Sequence, residues 1–229
     1  MIVAAGLLIS SFARAQQDST LIPDTLERKT LQEVIVRAYE QNRRLADVPA
    51  AIGVLTPAQF NRYSNISIVA AFNSIPGVRM EERSPGSYRL SFRGSTLRSP
   101  FGVRNVKVYL DGIPFTDPGG NTYLTQLAPF NIQSLEVIKG PAGSLYGAGT
   151  GGAVLLQTLP NNWQPGFTAD YSGGSFGSNN INAQVRFGDS NNGNSISFSH
   201  QISNGYRDHT QLRRDMAIWE SVIKNNSKQ

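Results

Sequence analysis

Three runs, 167–172, 181–187 and 195–202, alternate between apolar and polar side chains, which restricts these parts of the chain to a sheet. Because successive side chains of a strand point to opposite faces, the alternation predicts antiparallel strands with one apolar and one polar face. A further strand is predicted at 216–223. The apolar face would meet a second sheet in a soluble sandwich and lipid in an outer-membrane barrel, and alternation alone leaves both open. The apolar residues are Phe167, Ala169, Tyr171, Ile181, Ala183, Val185, Phe187, Ile196, Phe198 and Ile202.

Residues 49–160 follow a different pattern, in which short strands and short helices mix in one α+β unit. Thr56, Pro57 and Gln59 predict a helix start, since they supply a capping box and a proline at the first helical position. Apolar residues then recur with the period of one buried helix face, before Pro76 and Gly77 end the helix. These residues are Ile68, Ala71, Phe72 and Ile75.

Asp111 and Gly112 lie between two β-prone runs, 106–110 and 113–115. An Asp-Gly pair supplies the positive φ angles that a two-residue hairpin turn needs. We therefore interpret Asp111 as a turn residue and not as a catalytic carboxylate.

Glycine is concentrated in residues 134–154, which read SLEVIKGPAGSLYGAGTGGAV. Such a segment predicts backbone that turns tightly or lies close against another part of the chain. Residues 147–152 also satisfy the dinucleotide fingerprint G-x-G-x-x-G, which requires a strand before it and a helix after it. Here a helix-like turn precedes the glycines and the strand-like run 153–158 follows them, so we reject a nucleotide site.

The composition excludes several classes of function. The 229 residues include no cysteine and two histidines, His200 and His209, so a disulfide framework and thiolate zinc sites are excluded. The net charge is +5, but the basic residues are scattered and not clustered as nucleic-acid binding requires. Ser144 lies outside a G-x-S-x-G motif, and no nucleophile with a base can be identified. We therefore expect no enzyme, no cofactor, no metal site and no nucleic-acid partner.

The N-terminus is typical of an exported protein. Residues 1–15 combine a short apolar run with an Ala-Arg-Ala cleavage pattern and predict a signal peptide. Residues 16–48 predict a flexible leader. This leader contains a β-prone segment without a local partner, which either joins a sheet edge of its own domain or adds as a strand to another protein. The segment consists of Leu31, Gln32, Glu33, Val34, Ile35 and Val36.

The motifs Phe92-Arg93-Gly94, Tyr109-Leu110-Asp111-Gly112-Ile113-Pro114 and Glu136-Val137-Ile138-Lys139-Gly140-Pro141 follow one another in the chain. Together they resemble the plug domain of TonB-dependent outer-membrane receptors, over about residues 31–158. The resemblance implies an α+β plug domain at 49–160, a small mixed sheet with short helices. At 161–229 it implies the first antiparallel strands of an incomplete transmembrane β-barrel. Three or four strands cannot close a barrel, so we expect a fragment of a longer protein. The residues that carry the resemblance are Arg93, Gly94, Asp111, Gly112, Glu136, Lys139, Gly140, Pro141, Tyr146, Gly147, Gly151 and Gly152.

The resemblance also implies transport. In this family a plug blocks a barrel of about 22 strands, and a scarce ligand is taken up with energy transduced by TonB. Implied partners are TonB, outer-membrane lipid and a small-molecule or metal-chelate ligand, such as a ferric siderophore, cobalamin or a glycan. The segment 31–36 resembles the TonB box, which pairs with TonB as an added strand. Arg93 and Lys139 match basic positions that meet barrel carboxylates, although a lysine cannot make the bidentate contact of the commoner arginine.

Two alternatives remain open from the sequence. One is a soluble periplasmic ligand-binding module made of the plug alone, and the other is a fragment without function. Location in the membrane fraction separates the transporter from the soluble module.

Overall fold

The computed structural model describes residues 34–40, 42–63, 66–95, 103–147, 149–160 and 162–224. The predicted signal peptide, 1–15, and Leu31, Gln32 and Glu33 lie outside these residues. No helix within the described ranges is long and apolar enough to cross a membrane. The helices are α1 Pro57–Phe60, α2 Val69–Asn73 and α3 Gly143–Tyr146. The strands are β1 Ile35–Val36, β2 Arg43–Arg44, β3 Ile52–Leu55, β4 Val78–Glu82, β5 Tyr88–Phe92, β6 Val106–Leu110, β7 Ile113–Pro114, β8 Ser134–Lys139, β9 Gly152–Gln157, β10 Gly166–Gly174, β11 Ser178–Gly188, β12 Asn192–Ser203 and β13 Leu212–Ile223.

A five-stranded sheet, here called the central sheet, has the order β3-β8-β9-β6-β7. Strands β6 and β9 run parallel and the other neighbours run antiparallel, which confirms the predicted mixed sheet. Leu135 and Val137 of β8 belong to the main hydrophobic core, whereas Ile138 belongs to a second apolar cluster. Because strand side chains alternate between faces, Glu136 lies on the same face of the central sheet as Ile138.

The predicted helix signals are confirmed. The Thr56 side chain accepts a hydrogen bond from the Gln59 amide, the Gln59 side chain accepts one from the Thr56 amide, and Pro57 occupies the first helical position. The predicted apolar face of the next helix is buried. Helix α2 has only five residues, so it is held by packing against β4 and not by its own propensity.

The segment 34–48, called the leader segment below, differs from the predicted flexible leader. Strand β1 pairs with β2, and the Leu45 amide donates to the Val34 carbonyl oxygen at 3.0 Å. Val36, Ala38 and Val48 are buried in the second apolar cluster, against Ile138. The prediction missed this packing because the apolar residues follow no regular period and their partners lie about a hundred residues away.

Strands β10, β11, β12 and β13 form a separate antiparallel sheet in chain order, here called the outer sheet. The last strand begins at Leu212, earlier than the predicted 216, because its pairing with β12 continues to Ser203. The polar face of the outer sheet is buried and its apolar face is exposed, which is the reverse of the arrangement in a soluble protein. The buried polar residues include Asn180, Asn182, Gln184, Ser195, Ser197, Ser199 and Gln201.

Candidate ligand cleft and partner segment

A cleft of about 640 Å³ lies between the turn that joins β4 to β5 and the outer sheet. The first side contributes Glu82, Arg83 and Tyr88. The side formed by the outer sheet and its loops contributes the residues Phe176, Asn179, Asn180, Gln201, Tyr206, Arg207 and Arg214. The volume falls within the range of small-molecule sites, and both parts of the fold are needed to form it.

Arg214 joins the two sides of the cleft. One guanidinium nitrogen, Nη1, donates to the Thr125 carbonyl oxygen at 3.2 Å, and Nη2 donates to Gln201 Oε1 at 2.6 Å. Its Nε is buried, and no acceptor among the described residues lies within hydrogen-bond reach of it. A cationic donor held in this way can receive an acceptor oxygen of a ligand.

Tyr88 supplies a hydroxyl that stays protonated. Burial, followed by the charge of Glu82, raises the pKa of Tyr88 to about 12, while Arg214 opposes the shift. The phenol therefore remains neutral at every physiological pH, and Glu82 is an acceptor for its hydrogen bond.

Further polar atoms and two aromatic rings line the cleft. Asn180 Nδ2 and Asn179 Oδ1 are buried without a partner among the described residues. The exposed rings of Phe176 and Tyr206 lie 6.2 Å apart between centroids, and the Arg207 guanidinium lies 4.9 Å from the Tyr206 ring centroid. Donors, an acceptor and an aromatic rim together suit a polar organic ligand.

The described part of the predicted partner segment comprises Val34, Ile35 and Val36. Val34 is half-buried, Ile35 is 61% exposed and Val36 is fully buried. A partner strand that added to this segment would therefore first meet Ile35, whereas Val36 has to leave the second apolar cluster.

Two residues of the glycine-rich motif hold the chain that follows this segment. Glu136 accepts hydrogen bonds from the Arg37 amide at 2.9 and 3.0 Å and from the Ala38 amide at 3.0 Å. Tyr146 Oη accepts a hydrogen bond from the Tyr39 amide at 2.6 Å. Neither contact was predicted from the sequence, because 99 residues separate Arg37 from Glu136.

Burial raises the pKa of the Glu136 carboxyl above its ordinary 4.5, against the backbone hydrogen bonds of Arg37 and Ala38, which lower it. The folded state therefore binds this proton more tightly than the unfolded state does. The resulting stabilisation is complete below pH 4.5 and is lost as the pH rises through the raised pKa.

We accordingly expect the free energy of unfolding to fall over this pH window, and Glu136→Gln to abolish that part of the fall. Urea unfolding of the wild type and of Glu136→Gln, at a series of pH values across the window, measures the free energy of unfolding of each. Parallel pH profiles for the wild type and the variant would contradict the expectation.

The two predicted basic positions lie together. The side chains of Arg93 and Lys139 both lie next to Gly77, since a Cβ added there would be 3.8 Å from Arg93 Cγ and 3.9 Å from Lys139 Cδ. Lys139 Nζ donates to the Pro76 carbonyl oxygen at 3.0 Å. Their pairing with wall carboxylates stays a prediction.

The predicted glycines play unequal parts. Gly140, Gly147 and Gly152 have positive φ angles of 120°, 71° and 134°. Gly151 is restricted by close approach, since an added Cβ would lie 3.0 Å from the Asn105 carbonyl oxygen. Gly94 also has a positive φ, of 79°, in the turn after β5. Pro141 lies two residues beyond the end of β8, where its missing amide prevents the strand from continuing.

Asp111 has the predicted turn geometry and a second role. Its φ is 49°, and Gly112 follows at 84°. The carboxylate accepts hydrogen bonds from the Thr158 amide at 2.9 Å and the Thr158 hydroxyl at 2.6 Å. Thr158 Oγ1 also contacts Glu220 of the outer sheet. The hairpin turn is therefore tied to the point where the chain leaves the central sheet.

Sequence reasoning missed Tyr88, Thr158, Arg214 and Glu220. Their contacts join residues far apart in the chain, so no local spacing indicates them. The one usable signal was the spacing of Arg214 and Glu220, which are an even number of residues apart in β13. Both therefore lie on the side of that strand that faces the central sheet. Among the described residues, no cluster of His, Cys, Asp and Glu is arranged to hold a metal ion.

A small mixed-sheet domain that sits on the buried polar face of an antiparallel sheet defines a plug-type domain joined to wall strands. Residues 44–154 match the family model described as the TonB-dependent Receptor Plug Domain. This part of the chain therefore matches the plug domain of TonB-dependent receptors, as the sequence motifs predicted.

Curated relatives support the same family. The chain is 25% identical over 188 residues to the vitamin B12 transporter BtuB of Vibrio vulnificus, covering 79% of this chain and 29% of the transporter. It is 29% identical over 120 residues to the ferrioxamine receptor of Yersinia enterocolitica, covering 52% of this chain and 16% of that receptor. The chain thus spans less than a third of the length of these relatives.

Solved structures share the fold. The ferric-catecholate import receptor Fiu from E. coli K12 matches with a TM-score of 0.59 at 21% identity, covering 76% of this chain and 24% of that chain. The pyoverdine outer membrane receptor FpvA from Pseudomonas aeruginosa PAO1 matches with a TM-score of 0.58 at 19% identity, covering 76% of this chain and 25% of that chain.

Proposed function

We propose that this chain forms the plug and the first wall strands of an outer-membrane receptor, which takes up a scarce ligand with energy transduced by TonB. The observation that carries the proposal is the reversed outer sheet, whose polar face is buried and whose apolar face is exposed. Phe167 is 72% exposed and Trp219 is 73% exposed on that face. Such a surface suits lipid, as in transmembrane barrels, and argues against the soluble periplasmic module.

Membrane fractionation tests this location. A receptor that contains this chain together with the remaining wall strands is expected in the outer-membrane fraction, where the apolar face is covered by lipid. Recovery of folded chain mainly in the soluble periplasmic fraction would contradict the proposal and support the alternative module.

The partner proposed for the segment 31–36 is TonB, bound by strand addition. Addition of a strand requires free backbone amides on the segment, while its side chains set specificity. In the described part, Val34 uses its carbonyl oxygen to accept from Leu45. A proline at 34 retains that carbonyl but removes one amide donor.

We expect Val34→Pro to lose most of the binding to the C-terminal domain of TonB, at least about tenfold, because a ladder hydrogen bond is lost and the backbone is restricted. Val34→Ala is the matched control, since it shortens the side chain and keeps the amide. Co-purification and titration with the TonB domain measure both. Equal binding by the proline and alanine variants would count against strand addition here.

The ligand proposed for the cleft is a polar small molecule or metal chelate. Arg214 and Asn180 line the cleft, and each carries a buried donor nitrogen without a partner among the described residues. The matched relatives are named for vitamin B12 and ferrioxamine, which are both large polar metal complexes. A ferric siderophore, cobalamin or a glycan each fits this description.

A further inference from the structure

Three ionisable side chains, here called the boundary cluster, interrupt the apolar face of the outer sheet. His200 on β12 and Asp215 on β13 are direct partners in the strand register, and Arg213 lies two residues from Asp215 on the same face. The next two register rows toward the 189–191 turn carry only apolar side chains on this face. They consist of Ala169, Ala183, Phe198 and Ala217, and of Phe167, Val185, Ile196 and Trp219.

The boundary cluster lies near one end of the strands. Strand β13 has 12 residues, and Arg213 is the second of them. Because about 9–11 residues of a tilted strand cross the hydrocarbon core, the two ends of β13 lie near the two membrane boundaries in a receptor wall. The connection at the Arg213 end, 204–211, is longer than the turn at the other end, 189–191. Longer loops of outer-membrane barrels are extracellular, so the boundary cluster belongs to the outer leaflet.

A tyrosine marks the same level of the membrane. Tyr171 lies in the register row of His200, and its hydroxyl would be 3.3 Å from a Cβ added at Gly173. Gly173 belongs to the register row of Arg213, so the hydroxyl points toward the loop end of the sheet. A tyrosine with its ring on the apolar face and its hydroxyl turned to this end is typical of the membrane–water boundary.

Asp215 contacts the two basic side chains with different oxygens. Its Oδ1 lies 2.5 Å from His200 Nδ1, and its Oδ2 accepts a hydrogen bond from Arg213 Nε at 3.4 Å. An unpaired carboxylate beside hydrocarbon is costly, and these contacts pair it. They also hold the guanidinium of Arg213 at one edge.

The other nitrogens of Arg213 remain available. Its side chain is 74% exposed, and within the described ranges no hydrogen bond involves Arg213 Nη1 or Nη2. The next residue, Arg214, instead donates both of its Nη groups to the inner side of the sheet. Arg213 therefore presents two free donors at the level where lipid headgroups begin.

We propose that Arg213 binds the phosphate of an anionic lipid in the outer leaflet through Nη1 and Nη2. A guanidinium is planar, so its donors match two phosphate oxygens at once, and a charged donor strengthens each hydrogen bond. The lipid is the source of this phosphate, because the boundary cluster continues the face that the acyl chains cover. The inference rests on the proposed function for the membrane location, whereas the phosphate contact depends on Arg213.

Lipid titration tests the site in a receptor that contains this chain together with the remaining wall strands. The receptor is purified in an uncharged detergent, and native mass spectrometry measures its binding of dioctanoyl phosphatidic acid, whose headgroup is a phosphate monoester. We expect Arg213→Gln to weaken the binding of one lipid per receptor about tenfold, because charge-assisted hydrogen bonds are lost. Arg213→Lys keeps the charge but not the fork, and is expected to weaken it about threefold.

Arg79→Gln is the matched control. Arg79 is also exposed and also donates from Nε to a carboxylate two residues along its strand, Glu81 Oε1, at 2.7 Å. It belongs to the plug domain and not to the apolar face, so its replacement is expected to leave lipid binding unchanged. Dioctanoylglycerol, which lacks the phosphate, and inorganic phosphate, which lacks the chains, are each expected to bind the parent receptor at least about tenfold more weakly than the phosphatidic acid.

Three results would overturn the phosphate site. Equal binding of the phosphatidic acid by Arg213→Gln and the parent would remove Arg213 from it. Equally strong binding of dioctanoylglycerol would mean that the apolar face alone holds the lipid, and equally strong binding of inorganic phosphate would mean that the lipid is not the source. Each of these results in a receptor that reaches the outer-membrane fraction contradicts the site alone, whereas a parent receptor absent from that fraction contradicts the proposed function.

Discussion

Gly152→Ala is expected to destabilise the plug domain by about 3 kcal/mol or more, the largest effect of any single methyl group added to the glycine-rich motif. Gly152 begins β9 with a φ of 134°, where an L residue is strained. A Cβ there would lie 2.0 Å from the Ile138 carbonyl oxygen and 3.1 Å from Phe92 Cδ2. Relief would require β8 and β9 to separate at their paired ends.

Two other glycines of the motif provide graded controls. Gly147 has a φ of 71° but open space around it, so Gly147→Ala carries backbone strain alone, about 1–3 kcal/mol. Gly143 lies in α3 with open space and no positive φ, so Gly143→Ala is expected to be neutral or stabilising by up to about 1 kcal/mol.

Urea unfolding, with hydrogen exchange of the β8 and β9 amides, ranks the three variants. A Gly152→Ala protein as stable as Gly143→Ala would contradict the close approach of Gly152 to the Ile138 carbonyl oxygen.

The same ranking bears on function, since we expect Gly152→Ala and Gly147→Val to impair seating of the plug without changing binding of the segment 31–36 to TonB.

Phe72→Ala is expected to cost about 3–5 kcal/mol, as complete truncation of a buried aromatic ring does. Phe72 is 0% exposed and lies in the main core. Helix α2, which carries it, has five residues and cannot persist without its packing. Loss of the ring therefore removes both core packing and the anchor of the helix on β4.

Leu145→Ala is the matched control for a large-to-small change. Leu145 is 49% exposed in α3, so its truncation is expected to cost less than about 1 kcal/mol. The midpoints of urea unfolding, compared at equal slope, measure both variants. Similar losses for the two would mean that Phe72 contributes little to the core.

The contact between the plug domain and the outer sheet is polar, unlike the two apolar clusters inside the plug domain. Asn131 Nδ2 donates to Glu220 Oε2 at 3.1 Å, and Gln184 Nε2 donates to Asn131 Oδ1 at 2.7 Å. Water can replace hydrogen bonds of this kind when the surfaces separate. Separation of these two surfaces would therefore expose polar groups and leave the two apolar clusters covered.

Much of the fold was predictable because its signals are local. The capping box at Thr56, the buried face that includes Phe72 and the turn at Asp111 each depend on residues within one or two turns of chain. The structure confirms all three. The cleft was not predictable, since Tyr88 and Arg214 belong to different sheets and meet only in the tertiary structure.

The sequence by itself determined that the three alternating runs within residues 167–202 form strands with one apolar and one polar face, because side-chain alternation is a local property of the backbone. Its short motifs, whose glycines and turns are required by backbone geometry, also predicted the plug-domain match of residues 44–154. Only the tertiary structure decided which face of the outer sheet is buried and what Glu136 holds. Both depend on contacts between distant segments, and burial of the polar face became favourable only when the plug domain supplied hydrogen-bond partners for it.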